Sequence, residues 1–431
     1  MQALTLIIYY KGVNTYALNT LIGAVQQGIE DPRLHIALAF RRDELYSKAL
    51  SAYNQGHRVV VSWSFYSTHS TGVQEDLHWF REQPHTSDIT HLAGGVHASS
   101  EPHATLRMGF DWVAMGEGEM IIVELLRRLL NGDDVYTTHG LAYIHGETWK
   151  RNPPPPLIQL DDFPPFAVRW VRVNPIEITR GCIYACSFCQ TPFMMKARFR
   201  HRSVASVMRY VQIMKENGAW DIRFITPTSL SYGSDDASVK LEAIEALLKG
   251  VRQVLGDRGR IYFGTFPSEV RPEHVTPDIL RVLKKYVHND NLLMGAQSGS
   301  QNMLDRMHRG HDVSCIEQAV RYSVEAGFLP NVDFIFGFPD ETEEDITASL
   351  QLAERLTDMG ARIHGHTFMP LPGTPLRSSS PGHISERIIE KLHKFISAGK
   401  MYGQWIAQRN MASELSKKNS RKEPARATCR S

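Results

Sequence analysis

The segment at residues 177–190, EITRGCIYACSFCQ, carries Cys182, Cys186 and Cys189 within eight residues. A predicted strand at Ile176–Thr179 ends just before the first cysteine, so the pattern predicts a loop that directly follows a strand. Thiolates are strong ligands of iron–sulfur clusters, and three of them on one short loop can converge on a single cube. The alternatives are a chance clustering of cysteines and a structural zinc site, for which no nearby histidine supplies an obvious fourth ligand. The segment therefore predicts a 4Fe-4S cluster with one iron open to a small molecule.

Apolar, β-branched runs recur along the second half of the chain with helical patterns between them, which is typical of a parallel α/β barrel. The predicted strands are Ile176–Thr179, Ile222–Thr226, Ile261–Phe266, Leu292–Gln297, Val332–Phe338 and Ile363–Met369. They predict a partial (β/α)6 barrel at 171–380, with functional residues at the carboxyl ends of its strands. An amphipathic stretch at Ser385–Gln408 predicts a C-terminal helical segment at 381–412. Residues 413–431 are basic and lack apolar periodicity, so we expect a mobile tail.

The first part of the chain predicts a separate sheet domain. Leu4–Tyr10 and Val59–Trp63 read as strands, and a helical pattern at Leu18–Ile29 lies between them. Two further strand–turn units, Asp88–Gly95 and Asp111–Gly118, precede a predicted helix at Met120–Leu130. This alternation favours a parallel, doubly wound, Rossmann-like domain at 1–150. Residues 151–170 contain PPPP and FPP, so we interpret them as a stiff linker.

Composition narrows the function classes. The 431 residues have a formal net charge of only +2, which offers no broad attraction to nucleic acid. The N-terminus lacks a signal-peptide pattern, and no apolar run approaches the roughly 20 residues of a membrane span. Three of the five cysteines crowd into one loop, a distribution that suits metal ligation in a reducing compartment. We expect a cytoplasmic protein with no membrane association and no nucleic-acid partner.

With Phe188 before the third cysteine, the Cys-x-x-x-Cys-x-aromatic-Cys pattern resembles the signature of the radical S-adenosylmethionine (SAM) superfamily. The resemblance implies that SAM chelates the open iron and is cleaved to a 5′-deoxyadenosyl radical. Later strand ends resemble SAM-binding positions of that superfamily, although Pro227 stands where a glycine is usual. The implied SAM contacts are Phe188, Thr226, Pro227, Ser268, Glu269, Arg271, Gln297, Ser298, Arg309, Phe368 and Met369. Each polar residue among them has an alternative role as a cap or surface contact.

The stretch at 94–119, GGVHASSEPHATLRMGFDWVAMGEGE, resembles radical SAM enzymes that have an N-terminal cobalamin-binding domain. Glycines at strand ends would let the backbone approach a flat corrin. The implied cobalamin contacts are Tyr10, Asn14, Tyr16, Ser64, Phe65, Gly94, Gly95, Val96, His97, Gly116, Glu117, Gly118 and Glu119. The loop YYKGVNTY lacks the element that places histidine on cobalt, so no histidine ligand is expected. Packing roles for the tyrosines, and loss of cobalamin with retention of the domain, are the alternatives.

The resemblance implies a cobalamin-dependent radical SAM methyltransferase that methylates an unactivated sp3 carbon; no catalytic residue is assigned. The expected partners are a peptide or protein substrate and a low-potential electron donor such as ferredoxin. The narrowest hypothesis is the Cα of a glutamine in the α subunit of methyl-coenzyme M reductase, in methanogenic archaea. The alternatives are other C- or P-methylation or ring formation on a small metabolite, or a non-catalytic cobalamin- or SAM-binding module.

Two negative patterns accompany these expectations. Cys315 lies in a predicted helix and Cys429 in the predicted tail. They do not supply the three further ligands of a second cluster, which argues against methylthiotransfer. His97, His103 and the other histidines show no metal-binding spacing with an acidic partner, so we interpret most of them as ordinary surface or pocket residues.

Overall fold

The structure of the protein is a computed structural model that describes residues 2–420. These residues form two compact units, and the chain alternates between them. Unit 1 contains the described residues up to Gly181, then Met194–Thr226 and Glu242–Tyr262. Unit 2 contains Cys182–Phe193, Pro227–Leu241 and the described residues from Phe263 onward. Within residues 2–420, no helix has the length and hydropathy needed to cross a bilayer.

Unit 1 is built on a seven-stranded sheet in the order β2-β1-β3-β4-β5-β6-β7. Its strands are β1 (Leu4–Tyr9), β2 (Leu34–Ala39), β3 (Arg58–Ser64), β4 (Thr90–Gly94), β5 (Trp112–Ala114), β6 (Leu141–His145) and β7 (Thr148–Arg151). Its first helices are α1 (Thr15–Gly28), α2 (Arg42–Asn54), α3 (Ser70–Arg81), α4 (Gly95–Ser100), α5 (Pro102–Arg107) and α6 (Gly118–Asn131). Strands β1 to β5 pair in parallel, whereas β6 and β7 add an antiparallel hairpin.

Helices cover both faces of this sheet, which explains why β1 is buried along its whole length and apolar except at Thr5. Leu4, Leu6 and Ile8 pack into a core with residues of α1 and α6. Ile7 and Tyr9 point the other way, into a core with residues of α2 and α3. The predicted doubly wound domain is therefore confirmed, although β2, α2 and the β6–β7 hairpin were not predicted.

Unit 1 also holds the first strands of the predicted barrel. The elements along this part of the chain are β8 (Ile176–Glu177), β9 (Thr179–Arg180), α7 (Gln190–Met194), β10 (Arg200–His201), α8 (Val204–Glu216), β11 (Asp221–Ile225), α9 (Leu241–Leu255) and β12 (Arg260–Tyr262). Strands β12, β11 and β8 pair in parallel, and β9 pairs with β10 in an antiparallel ladder.

Unit 2 has a second parallel sheet, in the order β13-β14-β15-β16. Its elements are α10 (Pro277–Tyr286), β13 (Asn291–Gln297), α11 (Gln301–Arg306), α12 (Val313–Glu325), β14 (Leu329–Phe336), α13 (Glu343–Asp358), β15 (Arg362–Thr367), α14 (Glu386–Ser397), β16 (Met401–Tyr402) and α15 (Trp405–Ser420). All six predicted barrel strands are thus present, three in each unit. The register of β13 shifts between Gly295 and Gln297.

Two parts of the chain differ from the sequence-based expectation. Residues 413–420, predicted to be mobile, continue helix α15, because Ala412 and Leu415 are buried. The rest of the predicted tail, with Cys429, lies outside the described residues. The proline-rich segment packs within unit 1 rather than standing free, since Ile158, Leu160 and Phe166 are buried. The predicted domain limits remain a prediction.

Candidate functional sites

The cysteine loop begins where only glycine fits. Gly181 has φ +82°, and a Cβ there would lie 2.1 Å from the carbonyl oxygen of Arg198. Within the loop, Ala185 also adopts a left-handed conformation, with φ +45°. The Cys189 amide donates to the Cys186 carbonyl at 3.0 Å, and the Ser187 amide donates to the Met307 carbonyl at 3.1 Å. The three thiols therefore project from a tight turn that is fixed to the rest of unit 2.

Two arginines face the buried thiol of the loop. Arg309 Nη1 lies 3.4 Å from Cys186 Sγ, and Arg271 Nη1 lies 3.9 Å from it. Burial raises the pKa of Cys182 to about 11 and also raises the pKa of Cys189. An apolar surrounding disfavours thiolates, whereas two guanidinium groups favour them. The loop is thus arranged to bind its thiolates to a metal cluster whose negative charge the arginines offset.

Arg271 is itself held firmly. Its guanidinium pairs with the Glu273 carboxylate and lies 3.6 Å from the ring centroid of Tyr184. The Tyr184 hydroxyl is 2.8 Å from His274 Nε2. A cation–π contact and a buried ion pair fix the plane of the guanidinium, so Arg271 keeps its charge beside the cysteine loop.

Three of the residues predicted to bind SAM converge around Gly295. A Cβ at this position would lie 2.6 Å from Gln297 Nε2 and 3.2 Å from both Arg309 Nη2 and Glu269 Oε2. Glu269 retains accessible surface, although desolvation by the surrounding protein and the charge of Asp333 raise its pKa. The missing side chain at Gly295 therefore leaves room at a place where amide, guanidinium and carboxyl groups meet.

Arg309 has a donor left over at this point. Nη2 donates to the Gly295 carbonyl at 2.5 Å, while the buried Nε has no hydrogen-bond partner among the described residues. An unpaired buried donor costs free energy unless a ligand accepts its hydrogen. The residues present here fit both an iron–sulfur cluster and an anionic group beside it.

The other predicted SAM residues are placed less uniformly. Phe188 packs against Phe338 with ring centroids 5.7 Å apart, and Phe338 packs against Phe368 at 5.3 Å. The Ser268 and Ser298 hydroxyls are already bonded, to the Thr265 carbonyl and to Ser349 Oγ. Thr226 ends its segment of unit 1 and Pro227 begins the next segment of unit 2. Met369 is partly buried and its carbonyl accepts from the Leu371 amide.

A cavity of about 320 Å³ lies in unit 1. It opens beyond the carboxyl ends of β1, β3, β4 and β5, where ligands bind in doubly wound sheets. Most of the residues predicted to contact cobalamin line it, namely Asn14, Tyr16, Ser64, Gly94, Gly95, Val96, Gly116, Glu117, Gly118 and Glu119. Gly116 has φ +97° and no atom within 4 Å of where a Cβ would stand. A flat ligand can therefore approach the backbone there.

Three residues predicted for cobalamin do not line the cavity. The Tyr10 hydroxyl donates to Asn19 Oδ1 at 3.0 Å. Phe65 is buried in the core of the sheet, and His97 Nδ1 is 2.9 Å from Ser67 Oγ. Other lining residues were not in the predicted set: Ala17, Thr20, Leu21, Ser62, Trp63, Tyr66, Leu92, Ser99, Ala114, Ile122, Pro165, Pro175, Glu177, Arg180, Met194, Met195 and Ile225. Those after residue 164 lie far along the chain from the Gly-Glu-Gly-Glu motif, so local patterns do not reveal them.

Residues 116–119 form a Gly-Glu-Gly-Glu motif, and its glutamates, Glu117 and Glu119, belong to a buried ion cluster at the cavity wall. Arg180 Nη2 lies 2.7 Å from Glu119 Oε1 and 2.6 Å from Glu177 Oε2. Arg200 binds Glu117 through both carboxylate oxygens. Although burial opposes it, the two arginines lower the pKa of Glu117. The motif thus fixes β9, whose last residue precedes the cysteine loop by one position, and β10 beside it.

Residues 176–353 match the family model described as the Radical SAM superfamily. This segment is a radical SAM domain. The expected radical SAM core, whose superfamily uses SAM and is associated with a 4Fe-4S cluster, is therefore confirmed. The match spans residues of both units, from β8 to α13.

Similar proteins have related names. An uncharacterized methyltransferase of Pyrococcus horikoshii is 27% identical over 299 residues, which are 66% of this chain and 61% of that protein. A putative methylthiotransferase of Methanocaldococcus jannaschii is 28% identical over 353 residues, which are 78% of this chain and 73% of that protein. The chain thus spans less than two thirds of the length of the first of these relatives.

Solved structures show the same fold over more of the chain. The radical SAM methyltransferase TsrM of Kitasatospora setae, solved with cobalamin and a [4Fe-4S] cluster, matches 88% of this chain and 74% of its own, with TM-score 0.69 and 19% identity. The cobalamin-dependent radical SAM enzyme OxsB, with aqua-cobalamin, matches 93% of this chain and 56% of its own, with TM-score 0.66 and 15% identity. The predicted fold class, a front sheet domain followed by a radical SAM domain and C-terminal helices, is confirmed.

Proposed function

We propose that the protein is a cobalamin-dependent radical SAM methyltransferase. The observation that carries the proposal is the pairing, in one chain, of an arginine-flanked cysteine loop with a glycine-lined cavity at the carboxyl ends of the front sheet. When bound, the cluster and SAM supply the electron transfer and the radical, and cobalamin supplies the methyl group.

The residues of the chain perform the binding and the charge compensation. Cys182, Cys186 and Cys189 lose their protons when the cluster binds, so cluster loading is favoured by higher pH. Arg309 offers its unpaired Nε to the carboxylate of SAM, where it forms a charge-assisted hydrogen bond. Glu269 lies at the space beside Gly295 and is suited to the amino group of SAM, because its carboxylate can accept a hydrogen bond from an N–H of that group.

The front cavity would hold the corrin against backbone rather than against a histidine. Among its lining residues, Asn14 Nδ2 donates to Ser64 Oγ at 2.7 Å, which fixes both side chains at the carboxyl ends of β1 and β3. Tyr16 is exposed and also lines the cavity. Asn14 and Tyr16 are both weaker cobalt ligands than histidine would be, and the loop after β1 lacks the histidine motif.

Cobalamin binding can be tested with a variant that introduces a large side chain into this cavity. Ala17 lies on the exposed side of α1 and lines the cavity, so Ala17→Trp should place an indole where the corrin would sit. Ser51→Trp, on the exposed side of α2, is the matched control. Titration with hydroxocobalamin, followed by its visible spectrum, should show binding to wild type and to Ser51→Trp and at least about tenfold weaker binding to Ala17→Trp. Equal binding by all three, or no binding by wild type, would refute the assignment.

The test of catalysis uses SAM labelled with deuterium in its methyl group. The reconstituted protein and a low-potential reductant should release 5′-deoxyadenosine and place the labelled methyl group on a substrate carbon. Cys186→Ala should release none. Wild-type protein that contains a full cluster and cobalamin yet releases no 5′-deoxyadenosine and methylates nothing would overturn the proposed radical chemistry.

The substrate, the electron donor and the location are further parts of this proposal. We propose a cytoplasmic enzyme that takes electrons from a ferredoxin and methylates an sp3 carbon of a peptide, with glutamine Cα of methyl-coenzyme M reductase as the narrowest form. The cysteine loop and the sheet domain that precedes it in the chain support this proposal. Peptides of that subunit should be assayed beside free tryptophan, the substrate present in one TsrM structure. Label in tryptophan alone would favour a small-metabolite substrate.

Methylthiotransfer is the second candidate, because relatives carry that name. A second cluster with three cysteine ligands would be needed, and the five cysteines of this sequence leave only Cys315 and Cys429. Cys315 is partly buried on α12. Mass spectrometry separates the two outcomes, since a methylthio product gains sulfur as well as the methyl group.

A further inference from the structure

Three side chains in unit 2 meet in an arrangement that the proposed cluster and corrin sites do not use. Asp333 lies on β14, and His364 and His366 lie on β15. Asp333 and His364 are register partners across the ladder, and the two histidines share a face of β15 because side chains alternate along a strand. One potential ligand atom from each of the three lies within 4.8 Å of the other two.

The distances between these atoms fit one small cation. His364 Nδ1 is 2.9 Å from Asp333 Oδ1, His366 Nε2 is 3.1 Å from His364 Nδ1, and His366 Nε2 is 3.8 Å from Asp333 Oδ1. Zinc binds nitrogen and oxygen at about 2.0–2.2 Å. Ligand atoms at that radius stand about 2.8–3.1 Å apart at adjacent octahedral positions and about 3.3–3.6 Å apart in a tetrahedral site. Two of the observed distances fall in these ranges, and the distance of 3.8 Å is slightly longer.

The protons around the three atoms do not satisfy all contacts without a cation. The Gln408 amide has a fixed orientation, because its Oε1 accepts from the Thr367 amide at 2.9 Å. Its Nε2 therefore donates to His366 Nδ1 at 3.2 Å, and the proton of neutral His366 sits on Nε2, facing His364 Nδ1. Yet His364 Nδ1 needs its own hydrogen to bond with Asp333. A cation at the centre would remove this conflict between the two imidazoles, and it would move the His366 proton to Nδ1, which faces the Gln408 amide.

The protein around these three residues buries the Asp333 side chain and holds the His364 ring in place. The Asp333 side chain is 7% exposed, whereas each histidine side chain is 27% exposed. The Tyr402 ring stacks on His364 with centroids 4.6 Å apart and an angle of 13° between the planes, which holds the imidazole in place. The carboxylate is almost completely buried, as an inner ligand would be, and further ligands could approach through the exposed part of the two histidine side chains.

We propose that Asp333, His364 and His366 bind one divalent first-row cation, with Zn²⁺ the most suitable, and leave open positions for water or a substrate oxygen. Two imidazoles and a carboxylate suit zinc and other first-row metals better than calcium or magnesium. This inference does not rest on the proposed function. Sequence patterns miss the site because Asp333 lies 31 residues from His364.

A substitution at Gln408 should increase the affinity for zinc, whereas substitutions at the three ligands should decrease it. A metal-bound His366 carries its proton on Nδ1, where a carboxylate is the preferred neighbour, but the Gln408 amide presents a donor there. Gln408→Glu keeps an oxygen for the Thr367 amide and supplies a second oxygen for Nδ1–H. The variant should therefore bind zinc about tenfold more tightly than wild type.

The experiment uses full-length protein with its cysteines occupied by a reconstituted cluster. Equilibrium dialysis against Zn²⁺, with zinc and iron counted by mass spectrometry, should give one zinc per chain in wild type. Asp333→Asn and His366→Ala should bind at least about 100-fold more weakly. His57→Ala is the matched control, because His57 stacks on His35 at 4.9 Å and its Nδ1 lies 2.9 Å from the Thr5 hydroxyl rather than from a carboxylate.

The outcomes separate a metal site from a structural hydrogen-bond network. Loss of zinc in Asp333→Asn with tighter binding by Gln408→Glu supports the site. No zinc in wild type, zinc unchanged by Asp333→Asn, or weaker binding by Gln408→Glu would each overturn it. If His366→Ala fails to fold, the isosteric Asp333→Asn and Gln408→Glu variants still decide between the two outcomes.

Discussion

Replacing Arg180 by Met should destabilise unit 1 strongly, because it leaves buried carboxylates without their partner. Arg180 makes three charge-assisted hydrogen bonds, to Glu119 at 2.7 Å and to Glu177 at 2.6 and 2.9 Å. The Arg180 and Glu119 side chains are only 12% and 5% exposed. Burial alone would lower the pKa of Arg180, but Glu119 and Glu177 raise it above its ordinary value, so Arg180 remains charged at neutral pH.

Breaking a buried ion pair by removing one partner costs about 3–5 kcal/mol. With a urea dependence of about 3 kcal/mol per molar, Arg180→Met should lower the unfolding midpoint by about 1–1.7 M. Tryptophan fluorescence during urea unfolding measures the shift. Adding Glu119→Gln to Arg180→Met should recover part of the loss, because it removes the charge left unpaired.

Arg260→Met is the matched control. Arg260 also binds a carboxylate through two nitrogens, at 2.6 and 2.5 Å from Asp221, but its side chain is 58% exposed. Water replaces the lost partner there, so the midpoint should remain close to wild type. Equal midpoints for Arg180→Met and Arg260→Met would show that water reaches the Arg180 cluster and that our magnitude is wrong.

Three further predictions concern the cysteine loop and the pH dependence of stability. Gly181→Ala should lose most cluster iron on reconstitution, because its Cβ would lie 2.1 Å from a carbonyl oxygen. The control Gly218→Ala, which has a similar φ of +80° and no atom within 4 Å of its Cβ, should keep its iron. Equal iron contents in the two variants would contradict this prediction. Cys189→Ser should lower the iron content and Cys315→Ser should not, and iron loss in the second variant would place Cys315 at the cluster. Burial raises the pKa of Glu341 from 4.5 to about 7. Between these two pH values the folded chain binds more protons than the unfolded chain does. The free energy of unfolding therefore falls as the pH rises, by up to about 3 kcal/mol. Glu341→Gln should flatten that part of the curve of Tm against pH, and an unchanged slope would refute the assignment.

The parts of the fold that were predictable depend on neighbours in sequence. Strands β1, β3 and β13 are apolar because they are buried, and the cysteine loop carries its chemistry within eight residues. The β6–β7 hairpin was missed because its short, half-exposed strands carry no strong periodicity. The second half of helix α15 was missed because Leu415 is the only apolar residue at 413–420, and burial of Ala412 and Leu415 stabilises it instead.

The parts of the sites that were not predictable depend on residues distant in sequence. Glu117 and Glu119 were expected to face a corrin, and they do line the cavity. However, Glu119 is paired with Arg180, which lies 61 residues further along the chain, and Glu117 is paired with Arg200, which lies 83 residues further along. The cluster at Asp333 likewise joins two strands whose pairing no local pattern encodes. In such cases the side-chain type is visible in the sequence, but its partner is set by tertiary packing.

The alternation of the chain between the two units bears on when the cluster can be inserted. The cysteine loop belongs to unit 2 but is flanked in sequence by segments of unit 1. Arg309, which donates to Cys186, is synthesised 123 residues after it, and at ribosomal speeds the interval is several seconds or more. A nascent chain therefore exposes three thiols with no arginine to balance a bound cluster. Assembly factors that deliver iron and sulfide would meet the finished polypeptide rather than the growing one.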